Sequence, residues 1–232
     1  MNDWQPTACI LCENNCGIEI KVSENGRNIE KIRGDANHPS SAGYLCQKAS
    51  RLDHYQNSVD RILHPLKRLA NGEFKRISWE QAIQEIAAKL TNIRDEYGGD
   101  KIFYYGGGGQ GNHLPGGYGM TVVSALGGKY RSNALAQEKT GEGWVSASMF
   151  GGYAQRGDFE NCEMGVFIGK NPWHSHGVQR SRVALRALTK DPNRALVVFD
   201  PRLSETAEIA DYHVRLKPGT DAWALAAIIG IF

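Results

Sequence analysis

Four cysteines open the chain in the order Cys9-x2-Cys12-x3-Cys16, and Cys46 follows after 29 intervening residues. Three closely spaced thiolates and one distant thiolate suit a cubane cluster with four iron corners to ligate. A zinc ribbon favours two separated Cys-x2-Cys pairs, and the second pair is missing; zinc and structural thiols stay open as alternative readings. A disulfide framework goes with export. The start, Met1-Asn2-Asp3-Trp4, has neither the basic residues nor the apolar stretch of a signal peptide, so the expected location is cytoplasmic. Lys48, two residues past Cys46, reads either as a solvated surface lysine or as a cation beside an anionic cluster. In the second role it would raise the cluster's potential and bridge toward a second redox centre.

Further along, the run Gly106-Gly107-Gly108-Gly109-Gln110-Gly111-Asn112 lets backbone amides come close to a ligand such as phosphate. It matches neither the dinucleotide fingerprint nor a P-loop, and a plain flexible loop accounts for it equally well. Two apolar segments end more informatively, in Gly169-Lys170-Asn171-Pro172 and in Asp200-Pro201-Arg202. In open α/β sheets, ligands bind at the carboxyl ends of strands. An Asp there can take a ribose or purine edge, and an Arg can hold phosphate. A turn with an Asx bond and a salt bridge explains Asp200 and Arg202 as well, and Gly219-Thr220-Asp221 reads equally as a helix cap.

These residues need elements to hold them. Ile18, Ile20 and Val22 alternate with polar residues before Asn25-Gly26, and Ile29 and Ile32 follow, which predicts a hairpin. Ser78-Trp79-Glu80-Gln81 has the pattern of a capping box. It opens a helix whose apolar positions, from Trp79 to Tyr97, recur at helical spacing up to Gly98. Strands are expected at 101–105, 164–168, 195–199 and 212–216. Helices are expected at 178–190 and after Thr220 or Asp221. Strand, loop, helix and strand at this spacing argue for an α/β chain: a small β-rich domain, residues 1–60, followed by a doubly wound, mostly parallel sheet domain, residues 61–232. The small domain cannot bury much core and needs a staple.

Composition narrows the function classes. The 232 residues carry 27 Lys+Arg against 25 Asp+Glu, a formal charge of +2, which gives no support for nucleic-acid binding. No apolar run approaches the ~20 residues of a membrane span. The apolar ending, Ala224 to Phe232, is expected to be covered by a partner or by more of the same subunit.

Taken together, these motifs resemble the molybdopterin-guanine-dinucleotide oxidoreductases: formate dehydrogenases, nitrate reductases, dimethyl sulfoxide reductase and relatives. The matching segments run from the four cysteines and Gln47-Lys48 through 61–68 and 77–82 to Gly169-Lys170-Asn171-Pro172. Beyond these come Asp200-Pro201-Arg202 with Glu205-Thr206-Ala207, and Pro218-Gly219-Thr220-Asp221-Ala222. The resemblance covers the N-terminal third of such enzymes. It implies a [4Fe-4S] cluster on Cys9, Cys12, Cys16 and Cys46, with Lys48 between that cluster and a pterin. It also implies a molybdopterin guanine dinucleotide, one of two around molybdenum or tungsten. Expected cofactor contacts are Gly106, Gly108, Gly169, Asn171, Pro172, Ser175, His176, Asp200, Arg202, Gly219, Thr220 and Asp221. His174, in Trp173-His174-Ser175-His176, belongs to the same cofactor loop. Family enzymes place a Cys, selenocysteine, Ser or Asp ligand to the active metal before the Gly169 strand. Gln137 falls at that position with Glu138 beside it, and of the two Glu138 offers the hard oxygen donor. The His that follows the ligand in formate dehydrogenases is absent.

The expected function is that of a catalytic subunit, formate dehydrogenase- or nitrate reductase-like. A small-molecule substrate would react at the metal, and an electron-transfer protein or subunit would exchange electrons with the cluster. The competing reading is an iron–sulfur electron-transfer module that binds cofactor without turnover.

Overall fold

A computed structural model of the chain describes residues 4–106, 114–152, 157–175 and 177–232. In chain order the first strands are β1 (Gln5–Ala8), β2 (Gly17–Val22) and β3 (Ile29–Gly34), followed by helix α1 (Leu52–Asn57). Then come β4 (Leu66–Arg68), β5 (Phe74–Arg76), α2 (Trp79–Tyr97), β6 (Phe103–Tyr105), α3 (Leu114–Ala125) and β7 (Tyr130–Ser132). Short helices α4 (Leu135–Glu138) and α5 (Thr140–Phe150) precede β8 (Met164–Ile168) and α6 (Ser181–Lys190). The remaining elements are β9 (Ala195–Phe199), β10 (Tyr212–Val214) and α7 (Asp221–Ile229). Contacts divide the chain into two compact units. One joins Met1–Asp53 to Gln155–Phe232, and the other is His54–Ala154.

In the first unit, β1, β2 and β3 form an antiparallel meander, with Thr7 opposite Ile18 and Ile20 opposite Ile32. The alternation in the sequence works as a strand pattern should. Ile18 is fully buried with Cys9, Ala49 and Leu52, and Ile20, Ile29 and Ile32 pack around them. Gly34 ends β3 where the chain passes very close to itself: a Cβ there would lie 2.0 Å from the backbone oxygen of Gly43. Only a hydrogen fits, and this approach fixes the loop that leads to Cys46.

The same unit holds a parallel sheet in the order β10-β9-β8, with Phe167 beside Val198 and Tyr212 beside Val197. Phe167, Leu185, Leu188, Leu196 and Val198 form its core. Ala184, Leu185 and Leu188 of α6 share one helical face, and burying each leucine is worth about 1.5–3 kcal/mol. The apolar run of β8 predicts burial on both faces. In the structure Gly165 and Phe167 face the core, while Met164, Val166 and Ile168 are 59%, 44% and 40% exposed. Helix α6 starts at Ser181 rather than 178, because Gly177 and Arg180 both have positive φ (93° and 48°) and break the helical path.

In the second unit, Ser78 caps α2: its Oγ accepts a hydrogen bond from the backbone N–H of Gln81 at 3.0 Å. The helix ends at Gly98, as its pattern predicts. Its apolar stripe does not build a core, since no residue of α2 is buried and Trp79 is 67% exposed. β4 and β5 form an antiparallel hairpin, and β6 and β7 are parallel. Among the described residues no helix is long and apolar enough to cross a membrane.

Candidate functional site

The cysteine loop closes on itself. As the chain leaves β1, the Cys9 N–H donates to the Cys16 carbonyl at 2.8 Å, and the Asn15 N–H to the Cys12 carbonyl at 3.3 Å. Asn15 takes a left-handed φ of 48°, a conformation that Asn tolerates better than most residues. After β3 the loop is pinned back onto β2. The Asp35 N–H donates to the Gly17 carbonyl at 3.1 Å, and the fully buried Ser41 accepts the Gly17 N–H at 3.1 Å. Cys46 then precedes a one-turn 3-10 helix (Ala49–Arg51), whose Ala49 N–H approaches its sulfur at 3.4 Å.

The result is one small cavity lined by Cys9, Cys12, Cys16 and Cys46, with Lys48, Ser175 and Arg180 also on its wall. All four thiols are free of disulfides. Burial pushes the Cys16 thiol up to about 11, and Cys12, Cys9 and Cys46 add like-charge repulsion. Cys9 and Cys12 are raised too, by burial first, while Lys48 pulls both down. Such thiols ionise readily only around a cationic centre that replaces the lost hydration. No three His, Cys, Asp or Glu among the described residues converge to hold a single ion. Four separate thiols around a shared cavity suit a four-iron cluster.

The wall opposite the cysteines comes from the turn after β8. The Asn171 carbonyl accepts the N–H groups of His174 (3.2 Å) and Ser175 (2.9 Å). Lys48 Nζ donates to the His174 carbonyl at 2.5 Å, and His174 Nδ1 meets Gln47 Oε1 at 3.1 Å. With Nδ1 protonated, the ring donates to Gln47. Arg182 ties the same corner: Nε donates to the Trp173 carbonyl at 3.0 Å and Nη2 to Gln47 Oε1 at 3.4 Å. Its guanidinium and that of Arg186 lie over the Trp173 ring, 5.2 and 5.1 Å from the centroid. Behind the turn, Thr206 Oγ1 donates to Asn171 Oδ1 at 2.6 Å, and Asn171 Nδ2 donates to Glu205 Oε2 at 2.6 Å. The Glu205 carboxyl sits below its ordinary value, held there by its own backbone amide and Asn171, with Arg202 and His174 adding.

The sequence-predicted residues divide into four groups. Cys9, Cys12, Cys16, Cys46, Lys48 and Ser175 meet at the cavity. Gly169, Asn171, Pro172, Asp200 and Arg202 lie at the carboxyl ends of β8 and β9, while Gly219, Thr220 and Asp221 follow β10. Asn171 spends its amide inside the turn. Asp200 Oδ1 accepts the Arg202 N–H at 2.8 Å, the Asx arrangement, while the Arg202 side chain is 66% exposed and 3.6 Å from Glu205. Thr220 stands at the N-cap of α7 but does not cap it; its hydroxyl donates to the Lys217 carbonyl at 2.6 Å. Gly106, at the end of β6, and the exposed Gln137 and Glu138, in α4, belong to the other unit. Gly108 and His176 lie outside the described residues. Sequence reasoning passes over Arg182 and Arg180, because an Arg at the start of an amphipathic helix carries no spacing signal. Gln47 and Glu205–Thr206 stand inside the quoted motifs but show no role there.

Comparison with known proteins adds the following. The family model described as "Molybdopterin oxidoreductase Fe4S4 domain" matches residues 3–58, and that described as "Molybdopterin oxidoreductase" matches residues 61–232. The protein named "Probable oxidoreductase YyaE" of Bacillus subtilis is 31% identical over all of this chain and 34% of its own length. The periplasmic nitrate reductase of Desulfovibrio desulfuricans is 30% identical over 94% of this chain and 29% of its own length. The solved structure of acetylene hydratase from Pelobacter acetylenicus superposes with a TM-score of 0.80 at 28% identity, covering 98% of this chain and 31% of that one. The chain spans about a third of the length of the curated relatives it matches.

Proposed function

The chain belongs to the molybdopterin oxidoreductase family, and from that premise we propose that it forms the N-terminal part of a molybdenum or tungsten bis-pterin catalytic subunit. That subunit passes electrons between a small-molecule substrate and a [4Fe-4S] cluster. The observation that carries this reading is the single cavity shared by Cys9, Cys12, Cys16, Cys46 and Lys48, with the turn after β8 forming its far wall.

In this reading Cys9, Cys12, Cys16 and Cys46 hold the cluster, and the strand-end segments at 169–176, 200–202 and 219–221 hold a molybdopterin guanine dinucleotide. Those two groups supply electron storage and oxygen-atom or hydride chemistry at the metal. The polypeptide contributes position and charge. Lys48 sets an ammonium beside the thiolates and, through the His174 carbonyl, fixes the turn after β8 against the cysteine loop. Arg182 and Gln47 hold the same turn from its other side. Arg202 presents an exposed guanidinium at the end of β9, suited to a phosphate. Gly219 has open space where a side chain would stand, leaving room for a ligand. Glu138 is the proposed oxygen donor to the active metal, with Gln137 beside it.

The test is to follow the cluster signal of the native gene product during turnover. After dithionite reduction and removal of excess reductant, nitrate reoxidises the cluster, or formate reduces the oxidised cluster. A cluster that is reducible yet answers neither compound, in protein free of molybdenum and tungsten, would replace this reading with the electron-transfer module.

A further inference from the structure

Two serines line the cysteine cavity, and their hydroxyls differ in one respect. Ser181 is 4% exposed, and its Oγ pairs with the Tyr44 hydroxyl at 3.3 Å. Ser175 Oγ is buried and has no hydrogen-bond partner among the described residues. A buried hydroxyl left unpaired carries the full desolvation penalty of its donor and acceptor. The backbone gives it no easy escape. Its own N–H is fixed to the Asn171 carbonyl at 2.9 Å, and Lys48 holds the preceding His174 carbonyl at 2.5 Å. Gly177 follows at a φ of 93°, where a Cβ would press on Glu13 and Lys170. The turn thus holds a hydroxyl donor at a cavity whose other walls carry four cysteine sulfurs.

We propose that Ser175 is a positioning and tuning residue for the iron–sulfur cluster: its hydroxyl donates a hydrogen bond to a sulfur of the bound cluster and raises the reduction potential. This rests on the cluster reading above, and it assigns Ser175 to the cluster where the family resemblance implies a contact with the pterin nucleotide. The physical reason is that a donor to sulfur stabilises the more negative, reduced cluster more than the oxidised one. Lys48 and Arg180, on the same cavity wall, supply positive charge in the same sense. Ser175 adds a directed donor that those longer side chains do not.

The experiment uses the anaerobically purified full chain. Its readouts are the midpoint potential and the exchangeable-deuteron coupling of the reduced cluster after transfer to heavy water. In Ser175→Ala the reduction equilibrium moves about tenfold toward the oxidised cluster, about 59 mV more negative for one electron, and one exchangeable coupling disappears. Ser175→Thr, which keeps the hydroxyl, restores both, and Ser175→Val, of the same shape without it, behaves as Ser175→Ala. Equal potentials for the Thr and Val variants, or a wild-type coupling retained in Ser175→Ala, would overturn the assignment. If the substituted chains fail to assemble a cluster, the wild-type protein still decides. A strongly coupled, non-amide exchangeable proton supports the hydrogen bond, and its absence removes it. Wild-type protein with no iron cluster at all would instead contradict the underlying reading.

Discussion

Lys48 Nζ lies 2.5 Å from the main-chain oxygen of His174, 126 residues further along the chain. A cation that follows the last cysteine by two residues is thereby tied to the turn at the carboxyl end of β8. The contact places one charge where it acts both on the thiols of Cys9 and Cys12 and on the peptide group of that turn.

Removing that charge separates its electronic role from its structural one. Lys48→Ala keeps iron content near wild type, because Lys48 is not a ligand. It slows electron exchange between substrate and cluster roughly tenfold, a barrier change of about 1.4 kcal/mol. Lys48→Arg, which keeps the charge with a different donor geometry, falls between the two. Stopped-flow reoxidation of the reduced cluster reads the difference, and unchanged rates in Lys48→Ala would remove Lys48 from the electron path.

The five cysteines fall into two classes. Cys12→Ala takes away one corner ligand, so iron falls well below the about four atoms per chain of an intact cluster, and visible absorbance falls with it. Cys162 lies just before β8, packed against the sheet core and away from the cavity. Cys162→Ala leaves iron and absorbance unchanged and costs about 1 kcal/mol of stability or less, as a small, partly buried apolar group. Iron analysis beside a urea titration checks both.

Without cluster, the pH dependence has a definite sign. The folded state raises the Cys16 thiol from 9.0 to about 11, so the folded chain binds that proton more tightly than the unfolded chain does. Its contribution is complete below pH 9 and is lost as pH rises from there through about 11. Thermal melts of cluster-free protein therefore show falling stability across that window, with Cys9 and Cys12 acting in the same direction. The cluster-loaded chain, with its thiolates already ligated, does not share the loss. Identical pH profiles for the two forms would contradict this.

Thr206 supports the turn after β8 from behind. It is fully buried, accepts the Trp173 N–H at 3.2 Å and donates to Asn171 Oδ1 at 2.6 Å. Thr206→Val keeps the shape but strips both bonds from buried groups, and is expected to cost about 2 kcal/mol. Thr206→Ser retains the hydroxyl and loses less. Chemical denaturation of both variants measures the difference.

Much of this arrangement was legible in the sequence where a local rule and the tertiary result coincide. Met164–Ile168 and Ala195–Phe199 are strands at the expected bounds, and Ser78 and Gly98 bracket α2 as their types require. The four cysteines and Lys48 line one cavity. Other features depend on pairings that spacing cannot express. Gln47 finds His174 and Arg182 across more than a hundred residues, and no periodic signal links them. Thr220 sits where a cap belongs, yet its hydroxyl donates back to the Lys217 carbonyl and accepts no N–H of α7, a local side-chain-to-backbone bond that spacing does not reveal. The stripe of α2 marks a helix correctly but not a buried one, since periodicity reports which face is apolar and not what covers it.

In the proposed function, Cys9, Cys12, Cys16 and Cys46 hold a four-iron cluster in a pterin-dependent catalytic subunit. Metal and pterin analysis of the native, anaerobically purified gene product tests it most directly. The expected result is about four iron atoms with matching sulfide, together with molybdenum or tungsten and pterin. A colourless protein carrying zinc and no iron would contradict the cluster, and iron without molybdenum, tungsten or pterin would contradict the catalytic subunit.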